Sequence, residues 1–160
     1  PFAAAADRVV AREDVVLNPY YRHMGGLFGS EYWTYLLPRR VGATQAARLT
    51  DEPFTPIGTS GAVEMGLLDA AFGSTVAAFN TELRSMAEHL AAHPDLGRWL
   101  EEKRRRRERD EQVKPLEAYR ADELSRSHEC FFGADRRYHE ARHRFAFKLG
   151  PAAAMVEKVA

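Results

Sequence analysis

Apolar residues follow two rhythms along this chain, and the change between them falls near Gly73. Before it, short apolar runs alternate with turn residues. "RVVA" and "VVLN", separated by the polar corner "REDV", predict two short extended segments. Asn18-Pro19 ends the second, because the residue before a proline avoids the helical region. Ser30 is a suitable N-cap for a helix over "EYWTYLL", which puts Glu31 in the first turn beside the positive end of the dipole. Pro38 and Gly42 punctuate, "ATQAARL" predicts a second short helix, and "TSGAVEMGLLDAAF" predicts a helix stopped at Gly66 followed by an extended "LLDAAF". Beyond Gly73, Val76, Phe79, Leu83, Met86 and Leu90 recur at spacings of three or four, forming one apolar helical stripe. Asp95 caps a charged helix through "LGRWLEEKRRRRERDEQV", and Pro115 starts another through "LEAYRADELSRSHECF". Gly133-Ala134-Asp135 then breaks the chain before "RRYHEARHRFAFKL". The expected layout is a mixed αβ front, residues 1–72, joined to an all-helical region, residues 73–160.

Composition narrows the class. The 160 residues suit one domain, and 45% hydrophobic with 29% charged residues argues against wholesale disorder. Acids and bases balance at 23 each, so no net field draws the chain to nucleic acid or to an anionic membrane. Cys130 is the lone cysteine, which leaves no internal disulfide and suits a reducing compartment. No apolar run approaches a membrane span and no basic-then-apolar leader is present, so a cytoplasmic location is expected. The opening "PFAAAADRVV" lacks an initiator Met and turns apolar at once, as expected of an excised domain; an Ala-rich first helix of a processed chain is the alternative.

Several motifs invite chemistry. His139-Glu140-Ala141-Arg142-His143 fits the H-E-x-x-H zinc expression, which sets two imidazoles on one helical face. Arg142 inside the motif and the charged residues flanking it mark a solvated face instead, and no metal is expected. "EKRRRRERDE" is largely neutralised by its own acids and has no interleaved aromatic residues, so it reads as a solvent-facing helix laced with i,i+4 pairs, without a nucleic-acid partner. Tyr20, Tyr21 and His23 follow a strand end, where pocket residues of αβ folds collect; paired tyrosines are also ordinary packing groups. The stretch "MGGLFGSEYWTYLL" sets Gly25, Gly26, Phe28, Tyr32, Trp33 and Tyr35 around a single acid, Glu31. That carboxylate has two open readings: a helix-stabilising N-terminal charge, or a desolvated proton-transfer group.

The segment from Leu37 to Phe72 resembles the enoyl-CoA hydratase/isomerase (crotonase) superfamily. Its Leu37-Pro38-Arg39 turn with Gly42, its Thr50-Asp51-Glu52-Pro53 turn, and its step from Ala62 to Gly66-Leu67-Leu68 follow the family's order of punctuation. "AAAADRVVAREDVVL", with Asp7 and Ala11 in register, is similar to a strand start of the same family. "VVLNPYYRHMGGLFGSEYWTYLLPRRVG" and the tail "FFGADRRYHEARHRFAFK" resemble one branch, the crotonase-like C-terminal domain of the HypX (HoxX) hydrogenase maturation factors. Within that branch Tyr138, His139, Ala141 and Arg142 are family positions, and Glu140 and His143 complete the zinc expression by accident.

The resemblance implies a crotonase-like (ββα superhelix) core fragment of the α/β class, followed by an all-helical C-terminal region and mainly helical as cut. It implies a coenzyme A thioester as ligand and the hydrogenase maturation machinery as partner. The implied reaction is release of carbon monoxide from formyl-CoA, a lyase-like step, with the formyl group supplied from formyltetrahydrofolate by an N-terminal part that this chain lacks. The superfamily's backbone oxyanion donors fall before Pro1 in register. Its two hydratase glutamates fall on Pro1 and Tyr21, neither of them acidic. That leaves Tyr21 and Glu31 to handle a proton, with Tyr20, His23, Gly25, Gly26, Phe28, Tyr32, Trp33 and Tyr35 as pocket. Phe145 and Lys148 lie near where such enzymes hold the nucleotide end of coenzyme A; a core Phe and a surface Lys are the plain alternative. Two rival functions stay open: an ordinary enoyl-CoA hydratase or isomerase, separated by a crotonyl-CoA assay, and a non-catalytic helical docking module.

Overall fold

The computed structural model describes residues 2–17, 25–51 and 56–149. Helix α1 (Phe2–Ala5) leads into β1 (Val10–Arg12) and β2 (Val16–Leu17); α2 (Trp33–Val41), α3 (Ala43–Asp51), β3 (Ile57–Gly58), α4 (Thr59–Glu64) and β4 (Ala70–Phe72) follow. Then come the helices α5 (Val76–Ala91), α6 (Leu96–Val113), α7 (Leu116–Phe132) and α8 (Arg137–Ala146). The change of rhythm near Gly73 therefore marks the end of the last described strand.

Two-stranded ladders organise the front. β1 and β4 run parallel with Val10 opposite Ala70, and β2 and β3 run antiparallel with Val16 opposite Gly58. A parallel pair needs a long crossover, and here the crossover carries α2, α3 and α4. Val9, Ala62 and Leu68 are buried together, with Ala11, Leu17, Ile57, Val63 and Leu67 packed against them. Asp69 locks this ladder at its start. Its carboxylate accepts the Val9 N–H at 2.7 Å and pairs with Arg8 and Arg40, while Arg40 Nε donates to the Leu67 carbonyl. Burial works against the Asp69 anion, but the Val9 N–H and the Arg40 guanidinium outweigh it and hold the carboxyl below its usual value.

Several local expectations change. β1 starts later than its apolar run, at Val10, because the Val9 N–H is taken by Asp69. Ser30 does not cap α2, and Glu31 is not in its first turn: the helix begins at Trp33, and Tyr32 is the N-cap residue, in the left-handed region at φ 59° and ψ 22°. Pro38 lies inside α2, which ends only at Gly42 with φ 81°. One missing N–H is tolerated because α2 packs on α1, α3 and α7. Gly66, at φ 80°, follows α4 as expected, and the Ala62 carbonyl accepts both the Leu67 and Leu68 N–H groups. Asp95 precedes α6 but makes no side-chain cap, its carboxylate turning to Arg98 instead; Thr75 does cap α5, accepting the Ala78 N–H.

The helical region holds one further departure. The stripe on α5 contains no buried side chain, and Val76 is 66% exposed. Phe79 stacks on Phe72 at 5.4 Å, and Phe79, Leu83, Met86 and Leu90 are half-buried. On α6 the expected i,i+4 pairs form between Arg105 and Glu101 and between Arg107 and Glu111, and Arg104 adds an i,i+3 pair to Glu101. Among the described residues no helix is long and apolar enough to cross a membrane.

Candidate active site

The loop from Gly25 to Tyr32 is held by the far end of the chain. Gly25 has φ 63°, and a Cβ there would overlap the Arg137 carbonyl, so only glycine lets this turn abut the start of α8. The space beside Gly25 is thus occupied by protein, whereas among the described residues nothing lies within 4 Å of the Cβ direction of Gly26. The Cys130 thiol approaches the Gly26 carbonyl at 3.6 Å. Phe28 is buried against Trp33, ring centroids 5.0 Å apart, and the Arg126 guanidinium lies over the Phe28 ring. Trp33 Nε1 donates to the Gly29 carbonyl at 3.2 Å, closing the loop on itself.

Within this frame lies Glu31. Its Oε2 is buried and meets no hydrogen-bond partner among the described residues. A Cβ on Gly29 would come within 2.7 Å of that oxygen and 3.5 Å of Trp33 Cδ1. Glycine at position 29 therefore leaves the room that the carboxylate uses.

The carboxylate that does serve the N-terminus of α2 is Glu123, from the middle of α7. It is fully buried, and it accepts the Tyr32 N–H at 2.7 Å, the Thr34 N–H at 2.8 Å and the Thr34 hydroxyl at 2.5 Å. The two backbone donors are among the orphan N–H groups of a helix start, which a carboxylate satisfies well. No role is assigned to Glu123 from the sequence. A signal was present: Leu116, Tyr119, Glu123, Ser127 and Cys130 fall at helical spacing on the less exposed side of α7, so an acid sits in an inward phase.

The aromatic residues divide between two environments. Phe28 and Trp33 stand beside the Gly29–Glu31 turn. Tyr35 is buried, but its hydroxyl donates to Asp110 at 3.0 Å on α6, and its ring meets Arg39 at 3.7 Å and Tyr119 at 5.3 Å. Burial, and then the bond to Asp110, push the Tyr35 phenol up. Asp110 also accepts from Arg39 Nε at 2.8 Å, which holds its carboxyl below the usual range. Tyr32 and Tyr35 border a cleft of about 810 Å³ between α1, α2 and α6, with Arg39, Arg40, Arg106 and Arg107 on its walls. Glu31 is not among the residues lining it. Arg107 Nη1 is buried without an acceptor among the described residues.

Tyr20, Tyr21 and His23 lie outside the described residues. Phe145 is 71% exposed near the end of α8, and Lys148 is exposed just beyond it at φ 52°. His139 and His143 stand one turn apart on α8; His139 Nε2 lies 3.0 Å from the Phe131 carbonyl, and His143 lies against Phe147.

No protein-family model matches the chain. It is 41% identical over 145 residues to the hydrogenase maturation factor HoxX of Bradyrhizobium diazoefficiens, covering 91% of this chain and 25% of that protein. The crystal structure of HypX from Aquifex aeolicus in complex with tetrahydrofolic acid superposes with a TM-score of 0.84 at 35% identity, covering 94% of this chain and 26% of that one. An enoyl-CoA hydratase/isomerase from Pseudoalteromonas atlantica shares the fold, with a TM-score of 0.73, 22% identity, and coverage of 95% of this chain and 58% of that one. The chain thus spans about a quarter of the length of the maturation factors it matches.

Proposed function

Because the chain belongs to the HypX/HoxX group of hydrogenase maturation factors and matches their crotonase-like part, we propose that it handles a coenzyme A thioester in nickel–iron hydrogenase maturation. The substrate on this reading is formyl-CoA and the product carbon monoxide. Its formyl group derives from formyltetrahydrofolate through a part of the enzyme outside this chain, in keeping with the tetrahydrofolic acid in the Aquifex protein. Residues 1–72 are taken as the last part of the crotonase-like core and residues 73–160 as a helical region that supports it.

The reaction balances without a further reactant. The C–H and C–S bonds of the formyl thioester break, an S–H bond forms, and no electrons leave or enter. One proton travels from carbon to sulfur. Tyr21 and Glu31 are the groups proposed to carry it, with Phe28 and Trp33 keeping water away and Tyr20, His23, Gly26 and Tyr32 completing the surroundings; Tyr35, tied to Asp110, and Gly25, packed on Arg137, stand outside them. Arg106 and Arg107, on the cleft wall, are suited to the phosphates of coenzyme A; Phe145 and Lys148 are proposed to approach its nucleotide end.

One observation carries the reading: Glu31 Oε2 is buried and has no hydrogen-bond partner among the described residues. A buried acceptor without a donor costs free energy, and proton-transfer sites are where such a cost persists. The test is Glu31→Gln in the complete gene product, scored by carbon monoxide release from formyl-CoA and by thioester binding. Release is expected to fall by about 100-fold or more with binding retained. Undiminished release removes Glu31 from the mechanism, and hydration of crotonyl-CoA by the unaltered protein would favour an ordinary hydratase.

A further inference from the structure

We infer that Glu123 is the positioning residue of this site: a carboxylate on α7 that fixes the backbone around Glu31 so that the Glu31 side chain is held in place while its Oε2 has no hydrogen-bond partner among the described residues. The inference rests on the reading of Glu31 as a proton-transfer group.

The geometry is bracketing. Arg120 Nη1 donates to the Ser30 carbonyl at 3.4 Å, immediately before Glu31, and Glu123 accepts the Tyr32 N–H at 2.7 Å, immediately after it. Both anchors come from α7, one turn apart, and the Arg120 guanidinium also lies 5.7 Å from the centre of the Tyr32 ring. The residue between the anchors carries the oxygen that has no partner among the described residues. A backbone pinned on both sides of a residue leaves its side chain few places to go, which is what a proton-transfer group requires.

Tyr32 gives the device its specificity. A tyrosine at φ 59° occupies a region that side chains other than glycine and asparagine seldom adopt. The bond from its N–H to a buried acceptor holds it there. Backbone N–H groups can only donate, so Glu123 must present an acceptor at each oxygen: Oε2 to Tyr32, and Oε1 to the Thr34 N–H and hydroxyl. Glutamine matches the shape but has only one acceptor oxygen. In either orientation of its amide, an NH₂ group faces an N–H donor. Glu123→Gln is therefore expected to release either Tyr32 or Thr34 and let the Glu31 turn relax, with little change in side-chain volume.

The experiment is a double-mutant cycle in the complete gene product, with Glu31→Gln, Glu123→Gln and the pair, measuring carbon monoxide release from formyl-CoA over a pH series. Alone, Glu123→Gln is expected to lower kcat by about 10–100-fold with KM within about twofold, since a small misplacement of a reacting group costs that much. Any pH limb that Glu31→Gln abolishes is expected to move in Glu123→Gln. In the Glu31→Gln background the second change is expected to lower the residual rate by less than about twofold. A merely structural role would instead scale the whole pH profile without moving its limb and would multiply through in both backgrounds; that result overturns the inference. If Glu31→Gln lowers release and Glu123→Gln does not, this inference alone fails. If Glu31→Gln leaves release intact, the underlying reading fails as well. Should Glu123→Gln not fold, Arg120→Met, which frees the Ser30 carbonyl and takes the guanidinium off the Tyr32 ring while leaving the Glu123 bonds in place, goes through the same cycle with the same expected and overturning results.

Discussion

Gly29 determines where the Glu31 carboxylate can lie. No left-handed backbone is involved at this position; what matters is room, because a methyl group would stand 2.7 Å from Glu31 Oε2. That oxygen belongs to a side-chain end and not to main chain, so relieving the contact costs little and stability should hardly register the change. Function should. Gly29→Ala is expected to shift the melting temperature little, with a stability loss under about 1 kcal/mol, and to lower carbon monoxide release by the complete gene product by about tenfold through displacement of the carboxylate. Paired melting and release measurements check this. A full rate in this variant would mean that the working position of Glu31 is not the one seen beside Gly29.

At the scale of elements, the join between the front and the helices depends on another close approach. Gly73 has φ 76°, and a Cβ there would lie 2.5 Å from the Phe79 backbone nitrogen at the first turn of α5. Main chain cannot move aside as a carboxylate end can. Gly73→Ala is expected to destabilise by about 1–3 kcal/mol, read as a lower urea midpoint, with loss of the Phe72–Phe79 stacking. The same element marks what sequence could convey. Gly73 was legible as the change of rhythm, and all four helices beyond it were legible from stripes and breakers, since those are local signals. The start of α2 was not legible: its natural-looking cap, Ser30, and its natural-looking first-turn acid, Glu31, are both set aside because Glu123 arrives from α7 with better geometry. Capping by a residue some ninety positions away leaves no local signature. The rings of the loop were legible as a cluster, but their division was not, because it depends on Asp110 drawing the Tyr35 hydroxyl toward α6.

Across the whole molecule, two adjacent arginines tie α2 in two directions. Arg39 reaches Asp110 on α6 and Arg40 reaches Asp69 at the start of β4, so this one helix, already gripped at its N-terminus by α7, couples the ladders to the helical region. Asp110 is held below its ordinary value first by the Arg39 hydrogen bond, against burial and with further help from Tyr35. Asp69 is lowered although burial opposes it, because the Val9 N–H and Arg40 prevail. For a carboxylate lowered on folding, the stabilising contribution is complete above the unfolded value, roughly pH 4, and disappears as pH falls through the folded value. Stability attributable to these two groups should therefore be flat from neutrality to about pH 5 and decline below about pH 4. The measurement is a series of urea midpoints on the protein and on the double variant Asp69→Asn/Asp110→Asn. The variant is expected to be weaker at pH 7, and the gap between the two should close as the pH drops below about 4, because protonation does to the wild type what the substitutions have already done. Added salt should narrow the gap only partly at neutral pH, since both carboxylates are mostly sheltered from solvent, at 23% and 26% side-chain exposure. A gap that stayed constant from pH 7 to pH 3 would mean that these ion pairs do not fasten α2 to its neighbours, and that the apolar contacts of the helix hold it alone.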